Sequence, residues 1–284
     1  MFIANISKFL VEYKDLKKSK FLEILNDSNA WFDLYKLEKD FLLTLILIKF
    51  WEKYPNLIFK WWTCLNKIYF PYFRMSEDLD FVIDEDLWRT ARKTLLKKYE
   101  NNFIEDLEIL GLKLTNKRTK FDEHKLAIFN FEYKSVIDNS PQNIKIDISL
   151  KNKIYLPAQT WIIKSVFVDA VFEEKIFQDH IIKTMDLKEM LAEKLRAALT
   201  RKTPAIRDFF DIWYVKNNSD FDFEDKDFKK ILKTKLEEVD FEYSLEQNFE
   251  LLKKQIQTDL KPVLNKNYDF NFDEIYNFIL GFKL

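Results

Sequence analysis

Apolar and polar residues alternate along two segments of the chain, residues 78–83 and residues 143–150. Successive side chains of a β-strand point to opposite faces, so this period of two predicts two strands, each with an apolar and a polar face. Asp78 and Asp80 share the polar face of the first strand, and Lys145 and Asp147 share that of the second. If the two strands are neighbours, three carboxylates and a lysine meet on one sheet.

The rest of the chain alternates between strand and helix patterns. We predict helices in residues 1–54, the longest over 32–51, and strands near 56–60, 78–83, 111–116, 125–134, 143–150 and 161–171, with helices near 62–70 and 85–108. From Asp186 the spacing is helical to the end, including residues 224–238, 245–260 and 272–280. This order predicts an α+β fold with N-terminal helices (residues 1–54) packed on a mixed-sheet core (55–185) and a helical C-terminal bundle (186–284).

One of the C-terminal helices carries an inward lysine. Asp186 is expected to cap this helix, with Glu189 three residues on completing a capping box. Lys194 lies within its apolar stripe, and an unpaired buried ammonium is costly to keep charged. Two interpretations stay open for Lys194, an ion-paired or snorkelling core lysine and a ligand-binding lysine.

The next helix is expected to begin at Thr203 and Pro204, as a cap followed by proline at the first helical position. Arg207 and Asp211 then share one shoulder of the helix at i and i+4, while Asp208 points nearer to solvent. An ordinary surface ion pair is the plain interpretation of that shoulder.

Paired carboxylates on a strand suggest a cation site. Mg²⁺ binds carboxylate and phosphate oxygens. Asp78 and Asp80, beside a phosphate-binding turn, could therefore bind the metal ion of a metal–nucleotide complex. With Asp147 on a neighbouring strand, the set suits in-line attack on a phosphoryl group. The plain alternative for an isolated Asp-x-Asp is a sheet with one wet face.

Five short motifs follow one another along the chain. They are W-W-T at residues 61–63, D-L-D at 78–80, K-I-D at 145–147, L-A-E-K-L-R-A at 191–197 and R-D-F-F-D-I-W-Y at 207–214, with E-K-D-F at 38–41 and R-M-S-E-D at 74–78 beside them. In this order, over about residues 30–215, the chain resembles the AbiEii-type toxins of bacterial toxin–antitoxin and abortive-infection systems. That family includes the MenT toxins and belongs to the DNA polymerase β-like nucleotidyltransferases.

The resemblance implies a polymerase β-like core that transfers a nucleoside monophosphate from a nucleoside triphosphate to an acceptor hydroxyl. The matching positions make Asp78, Asp80 and Asp147 the expected ligands of Mg²⁺ or Mn²⁺. Lys194 is expected to bind nucleotide phosphate, and Asp211 to orient Lys194 or to act on the acceptor hydroxyl. The full set expected to bind the nucleotide is Trp61, Trp62, Thr63, Ser76, Lys145, Lys194 and Arg207. The family also implies an antitoxin partner and, as a candidate acceptor, the 3′ end of a tRNA.

Trp61 and Trp62 depart from the family, which has two glycines there. Glycines let the backbone approach a triphosphate, whereas two indoles obstruct it. One interpretation is therefore a catalytically inactive relative that acts as a binding or decoy protein, and a kinase or other phosphotransferase on the same scaffold is a further alternative.

Composition suggests another explanation, because the chain has only 2 glycines against 7 tryptophans in 284 residues. We hypothesise that some of these tryptophans are UGA codons that the source organism reads as glycine. The codons for Trp61 and Trp62 test this, since UGG at both removes the hypothesis.

Charge and cysteine content limit the partners. The net charge of −1 gives no global basic surface for nucleic acid. A lysine-rich turn is predicted either to touch an RNA backbone or simply to be solvated; it contains Lys113, Lys117, Arg118, Lys120 and Lys125. The single cysteine, Cys64, and the lack of a signal peptide or long apolar run predict a cytoplasmic protein with no membrane partner, and neither His124 nor His180 has zinc-ligand spacing.

Overall fold

The computed structural model describes residues 18–28, 32–116, 119–151, 153–169, 174–239, 245–264 and 268–282. The helices predicted within residues 1–17 lie outside these ranges, as do Lys117 and Arg118 of the lysine-rich turn. The chain forms two compact units, the first made of Met1–Ile154 and Ala158–Met185 and the second of Tyr155–Pro157 and Asp186–Leu284.

The first unit combines helices with a sheet. Its described helices are α1 (Lys18–Asn26), α2 (Leu34–Lys53), α3 (Trp61–Cys64), which continues as a π-helical turn (Leu65–Tyr69), and α4 (Arg89–Glu108). Its described strands are β1 (Ile58–Lys60), β2 (Asp78–Val82), β3 (Lys113–Leu114), β4 (Lys120–Phe121), β5 (Leu126–Lys134), β6 (Pro141–Ser149), β7 (Gln159–Ile162), β8 (Val168–Asp169), β9 (Glu174–Lys175) and β10 (Ile181–Thr184).

The strands form a mixed sheet in the order β3-β5-β6-β2-β1-β10-β7, with β4 paired to β5 and with β8 and β9 as a separate pair. β2 runs parallel to β6 and β1 parallel to β10, while β1 and β2 are antiparallel. The two strands that carry the predicted acidic residues are therefore direct neighbours. The predicted α+β class with a mixed sheet is confirmed.

Aromatic side chains hold α2 and α4 against one face of this sheet. Phe50 of α2 lies 5.8 Å from the ring of Phe81 in β2 and 4.3 Å from that of Phe103 in α4, measured between ring centroids. Phe103 in turn packs on Phe129 of β5. Because Phe81 points to this covered face, Asp78 and Asp80 point to the opposite face of β2.

Two buried acidic residues of α2 bind other segments of the first unit through hydrogen bonds and an ion pair. Glu38 accepts hydrogen bonds from the Ser135 hydroxyl and the Val136 backbone N–H, which fixes the connection between β5 and β6. Asp40 forms a 2.8 Å ion pair with Lys67 of the π-helical turn, and both side chains are fully buried. The E-K-D-F segment therefore has a structural use in this fold.

Several predicted boundaries differ from the observed ones. The strand predicted over residues 161–171 is two short strands, β7 and β8, and residues 170 and 171 lie outside the described ranges. The helix predicted from residue 85 begins at Arg89. Strand β10 was not predicted, because its four residues, I-I-K-T, are too short to show a period and are held by pairing with β1 and β7.

The described elements of the second unit are helical. They are α5 (Leu187–Thr200), α6 (Ile206–Asn218), α7 (Lys226–Glu237), a 3₁₀ turn (Leu245–Asn248), α8 (Phe249–Gln255), which continues through a π-helical turn (Ile256–Leu260) and a second 3₁₀ turn (Lys261–Val263), and α9 (Phe272–Leu280). The predicted cap of α5 is present, since the Asp186 carboxylate accepts the Lys188 N–H at 2.8 Å.

The start of α5 is as predicted, but Glu189 accepts the backbone N–H groups of Tyr155 and Leu156 at 2.8–3.0 Å rather than completing a capping box. The predicted start of α6 is wrong. Helix α6 begins at Ile206 rather than at Thr203 and has no side-chain cap. The Ile206 N–H instead donates to Gln255 at 2.9 Å, a tertiary hydrogen bond that the local sequence does not reveal.

Candidate active site

Asp80 and Asp147 lie side by side on the parallel strands β2 and β6. In this register Asp78 is opposite Lys145 and Asp80 is opposite Asp147. Since paired residues of neighbouring strands point to the same face, the four side chains lie on one face of the sheet and form what we call the acidic patch. The structure thus brings together all three predicted acids and the predicted lysine.

Lys60 belongs to the same patch, although the sequence analysis did not select it. It is the last residue of β1, lies in register with Asp80 and is 3% exposed. All three residues of β1 are buried, so this strand shows no alternation that would have assigned Lys60 to the polar face. The alignment of β1 with β2 is what identifies it.

The negative charges of Asp78, Asp80 and Asp147 repel one another. The pKa of Asp80 is raised to about 7 by burial and by the charges of Asp147 and Asp78, although Lys60 and Lys145 oppose the shift. Burial also raises the pKa of Asp147, against the opposing effect of Lys145. A divalent cation is the kind of ligand that relieves such a cluster.

Lys145 forms a 2.7 Å ion pair with Asp147 two residues along the same strand. Burial lowers the pKa of Lys145, but the hydrogen bond and charge of Asp147 outweigh it, and the net shift is upward. Lys145 is the more exposed partner, at 39% against 18% for Asp147. It therefore covers Asp147 from the solvent side.

The donor set suits Mg²⁺ or Mn²⁺ in chemistry but is not gathered around one point. No three His, Cys, Asp or Glu side chains within the described ranges are grouped closely enough to hold a metal ion. One carboxylate oxygen of Asp147, Oδ1, is nevertheless buried without a hydrogen-bond partner among the described residues. A cation bound by Asp80 and Asp147 would satisfy this oxygen and would compete with Lys145.

Thr63 and Ser76, both expected near the nucleotide phosphates, are buried and contact each other. Their hydroxyl oxygens are 2.8 Å apart, and the Thr63 hydroxyl also hydrogen-bonds the backbone carbonyl of Asp78. These bonds tie α3 to the start of β2. They place the W-W-T segment directly beside the first acid of the patch.

Trp61 and Trp62 occupy the turn from β1 into α3. Trp61 has a φ of +63°, in the left-handed region where a bulky residue is an outlier and glycine is at ease. This backbone conformation fits the hypothesis that position 61 is a glycine position, while the codon hypothesis itself stays a prediction.

In the second unit, Lys194 of α5 and Asp211 of α6 form a buried ion pair. Lys194 Nζ lies 2.8 Å from an Asp211 carboxylate oxygen, and the side chains are 2% and 0% exposed. The inward lysine therefore has an acidic partner, and Asp211 is not part of a surface pair with Arg207, which is exposed. That plain interpretation of the helix shoulder is wrong.

Asp208 was expected to point nearer to solvent, and that expectation is also wrong. Its side chain is fully buried and forms a 3.0 Å ion pair with Arg201. A helical periodicity gives the direction of a side chain around its own helix, but not what packs against that side. Here Arg201, the residue that follows α5, pairs with Asp208.

The lysine-rich turn is only partly available for binding. Lys120 is an ion-pair partner of Glu100, whereas Lys113 and Lys125 are exposed. Within the residues that the structure describes, the turn is therefore less basic than the sequence pattern suggested.

The mixed sheet presents carboxylates from two parallel neighbouring strands, next to a strand that turns directly into a helix. The particular family follows from the sequence as a whole. The chain belongs to the AbiEii family of nucleotidyl transferase toxins of type IV toxin–antitoxin systems, whose family model matches residues 52–277. It is thus a nucleotidyltransferase of the toxin class.

Solved structures share this fold at low sequence identity. JHP933 from Helicobacter pylori is 16% identical with a TM-score of 0.52, and the match covers 87% of this chain and 90% of that one. A putative nucleotidyltransferase from H. pylori is 17% identical, with a TM-score of 0.50 and coverage of 86% and 91%. MenT4, a nucleotidyltransferase toxin from Mycobacterium tuberculosis H37Rv, is 14% identical, with a TM-score of 0.50 and coverage of 78% and 69%.

No curated protein sequence matches the chain significantly. In the part of the chain that is described, no helix is both long and apolar enough to cross a bilayer.

Proposed function

We propose that this protein is a metal-dependent toxin that transfers a nucleoside monophosphate from a nucleoside triphosphate to an acceptor hydroxyl. The observation that carries the proposal is the register of β2 and β6, which aligns Asp80 with Asp147 and leaves one buried Asp147 oxygen without a hydrogen bond. Family membership supplies the reaction class, and the acidic patch supplies the chemistry that such a reaction needs.

Asp78, Asp80 and Asp147 are the proposed ligands of Mg²⁺ or Mn²⁺. When bound, the ion supplies charge neutralisation for the phosphates of the nucleotide. A bound cation would offset the repulsion between Asp80 and Asp147, so the patch would favour the metal–nucleotide complex over the free nucleotide. Lys145 is then available as a proposed phosphate-binding residue.

The reaction exchanges a phosphoanhydride bond for a phosphodiester bond. A bond forms between the acceptor oxygen and the α-phosphorus, the bond between the α-phosphorus and the bridging oxygen breaks, pyrophosphate leaves, and the proton of the acceptor hydroxyl passes to solvent. Thr63 and Ser76 are proposed to lie near the phosphates, since Thr63 belongs to the helix that follows β1 and its hydroxyl contacts that of Ser76.

Following the family, we propose that Lys194 binds nucleotide phosphate and that Asp211 orients Lys194 or acts on the acceptor hydroxyl. In their ion pair Asp211 holds the ammonium group in one place, which suits a lysine that neutralises phosphate charge. Lys194→Met tests the role in transfer, with melting temperature as the control for folding. Arg207, being exposed, is proposed to bind nucleotide and is tested in the same way.

The acceptor and partners form the finer part of the proposal. We propose an RNA acceptor, with the 3′ end of a tRNA as the candidate, and an antitoxin that restrains the enzyme in the cytoplasm. The family is one of toxin–antitoxin systems, which supports the antitoxin.

The test incubates the protein with α-labelled nucleoside triphosphates, Mg²⁺ and total RNA. Two forms are compared, one with tryptophan and one with glycine at positions 61 and 62. We expect the glycine form to label an RNA band from the α-phosphate, and the label to disappear in Asp80→Asn. A γ-phosphate label on the product would instead identify a phosphotransferase.

The inactive-relative alternative is favoured by a specific observation, the two indoles at the turn after β1. If it holds for the tryptophan form, isothermal titration with each nucleotide and Mg²⁺ gives no heat. If the glycine form also binds no nucleotide and transfers no label, the enzymatic proposal is wrong.

A further inference from the structure

Helix α4 carries its charges in two separate halves. Its first ten residues contain five cations and no acid, whereas its last ten contain four acids and no cation. The cations are Arg89, Arg92, Lys93, Lys97 and Lys98. A helix has partial positive charge at its N-terminus, so this order of charges is the unfavourable one. Helices α5, α6, α7 and α9 each have an acid in the first turn, and α4 has none.

Three of these cations form a row along the solvent side of α4. Arg89, Lys93 and Lys97 are spaced by four residues, so they lie above one another on the helix with a rise of ~6 Å between successive positions. All three side chains are exposed. Like charges at this spacing repel one another, so the row adds nothing to the stability of the helix. We call these three residues the basic row.

One glutamate lies close to the C-terminal end of the basic row. Glu100 forms a 3.1 Å ion pair with Lys97, and it also forms an ion pair with Lys120 of β4. A single carboxylate is thus shared between two ammonium groups. Lys97 remains 59% exposed in spite of its ion pair, so a ligand in solution can still reach it.

The turn between β4 and β5 lies beside the first turns of α4. Arg92 donates a hydrogen bond to the backbone carbonyl of Glu123 at 3.3 Å, which holds the turn against the helix. Partial burial lowers the pKa of His124 in this turn, and the charges of neighbouring cations lower it further. These cations are Arg89, Lys93, Lys120 and Arg92. The positive charge of α4 therefore extends over the turn as well.

The basic row and the acidic patch lie on opposite sides of the sheet. Phe103 of α4 packs on Phe129 of β5 with ring centroids 5.4 Å apart, on the face that Phe81 also occupies. Asp80 points to the other face. A ligand that contacts both the basic row and Asp80 must pass around the sheet, so it must be much larger than a nucleotide.

We propose that the basic row binds the phosphate backbone of an RNA and anchors it while another part of the same RNA reaches the acidic patch. Lysine and arginine neutralise phosphates, and cations at a regular spacing suit a strand whose phosphates also recur regularly. A membrane surface fits less well, because the exposed neighbours of the row, Thr90 and Thr94, are polar. The choice of RNA as the polyanion rests on the proposed function, whereas the row itself rests on the charges of α4.

The first experiment measures the affinity of the full chain for a fluorescently labelled tRNA transcript by anisotropy, without metal or nucleoside triphosphate, at several salt concentrations. The triple variant Arg89→Gln/Lys93→Gln/Lys97→Gln is expected to bind about tenfold more weakly, because three phosphate contacts are lost. The slope of log K against log salt concentration should become shallower by about 2 to 3.

The matched control removes three exposed lysines from α7, whose first turn contains Asp227. It is Lys226→Gln/Lys230→Gln/Lys233→Gln, which changes the net charge by the same amount and should alter tRNA affinity by less than about twofold. Equal losses in the two triple variants, or no loss in the α4 variant, would overturn the proposal. So would an α4 variant that loses binding to phosphatidylserine vesicles and keeps its affinity for tRNA.

Thermal melting separates a binding role of the basic row from a structural one. Replacing the row by glutamine removes repulsion between like charges and an unfavourable interaction with the helix dipole. The α4 triple variant should therefore melt no lower than the parent protein while it binds tRNA more weakly. A lower melting temperature would show that the row serves the fold, which contradicts the proposal.

The basic row and the transfer reaction can fail separately. If the α4 variant loses tRNA affinity as expected but the parent protein transfers no α-phosphate, the basic row stands and the transfer reaction is wrong. If α-phosphate is transferred, the loss in the α4 variant should be larger with the whole tRNA than with a short oligonucleotide of its 3′ end. Equal losses with the two acceptors would leave the enzyme standing and remove the anchor.

Discussion

The acidic patch of the first unit and the buried ion pairs of Lys235 in the second unit differ in how their charges are balanced. In the second unit, Lys235 lies between Glu189 and Glu193 at 2.8 and 3.1 Å, and its side chain is 2% exposed. In the first unit, Asp80 faces Asp147 and its pKa is raised to about 7, chiefly by burial and then by that charge. The charges around Lys235 balance one another without a ligand, whereas those of Asp80 and Asp147 would be balanced by a bound cation.

This difference separates structural charges from functional ones. Glu189, a partner of Lys235, also accepts hydrogen bonds from the backbone N–H groups of Tyr155 and Leu156. The Lys235 network therefore fixes a segment of chain within its unit. The patch on β2 and β6 instead carries like charges on neighbouring residues, as active sites often do. The proposed chemistry therefore belongs to the patch, and the Lys235 network is expected to contribute stability.

The largest expected effect comes from Asp80→Asn. Removing this carboxylate should lower α-phosphate transfer by about 1,000-fold, because the patch loses a proposed metal ligand. The same change should stabilise the metal-free protein at pH 8 by about 2–4 kcal/mol, because a buried, repelled charge is removed. Melting with and without Mg²⁺ measures the second effect.

The raised pKa of Asp80 predicts that the metal-free protein becomes less stable as the pH rises. The folded pKa of Asp80, about 7, lies above its ordinary value of 3.8, so its contribution to stability is full below pH 4 and is lost as pH rises to about 7. Asp80→Asn should flatten the melting temperature over that window. A variant that melts lower than the parent protein at pH 8 would refute the strained patch.

An intermediate effect is expected from Lys235→Met. Removing the lysine leaves two buried glutamates facing each other without their cation, which should cost about 3–5 kcal/mol of unfolding free energy in urea. Lys216→Met is the control, since its pair with Glu274 is exposed and should cost less than about 1 kcal/mol. Equal losses of unfolding free energy in the two variants would show that the Lys235 network stabilises the fold no more than a surface ion pair does.

The smallest effect concerns the turn at Trp61. At position 61, with φ of +63°, glycine should exceed alanine in stability by about 1 kcal/mol. At position 62, which is helical, the order should reverse by about the same amount. Thermal melts of Trp61→Gly, Trp61→Ala, Trp62→Gly and Trp62→Ala measure both differences, and the same order at both positions would argue against a glycine turn.

The sequence predicted what depends on local periodicity. The period of two along β2 and β6 placed Asp78, Asp80 and Asp147 on polar faces, and the structure adds that the strands are parallel neighbours. Lys60 was missed because β1 has only three residues, all buried. Asp208 was misassigned because its burial comes from packing and from Arg201, neither of which is visible in the helix that carries it.

The most direct test of the central claim is the position of a bound cation. A crystal of the form with glycine at positions 61 and 62, soaked in Mn²⁺, should show anomalous scattering between Asp80 and Asp147, with the Lys145–Asp147 ion pair broken or lengthened beyond its present 2.7 Å. Mn²⁺ bound elsewhere, or not at all, with that ion pair intact would contradict the account.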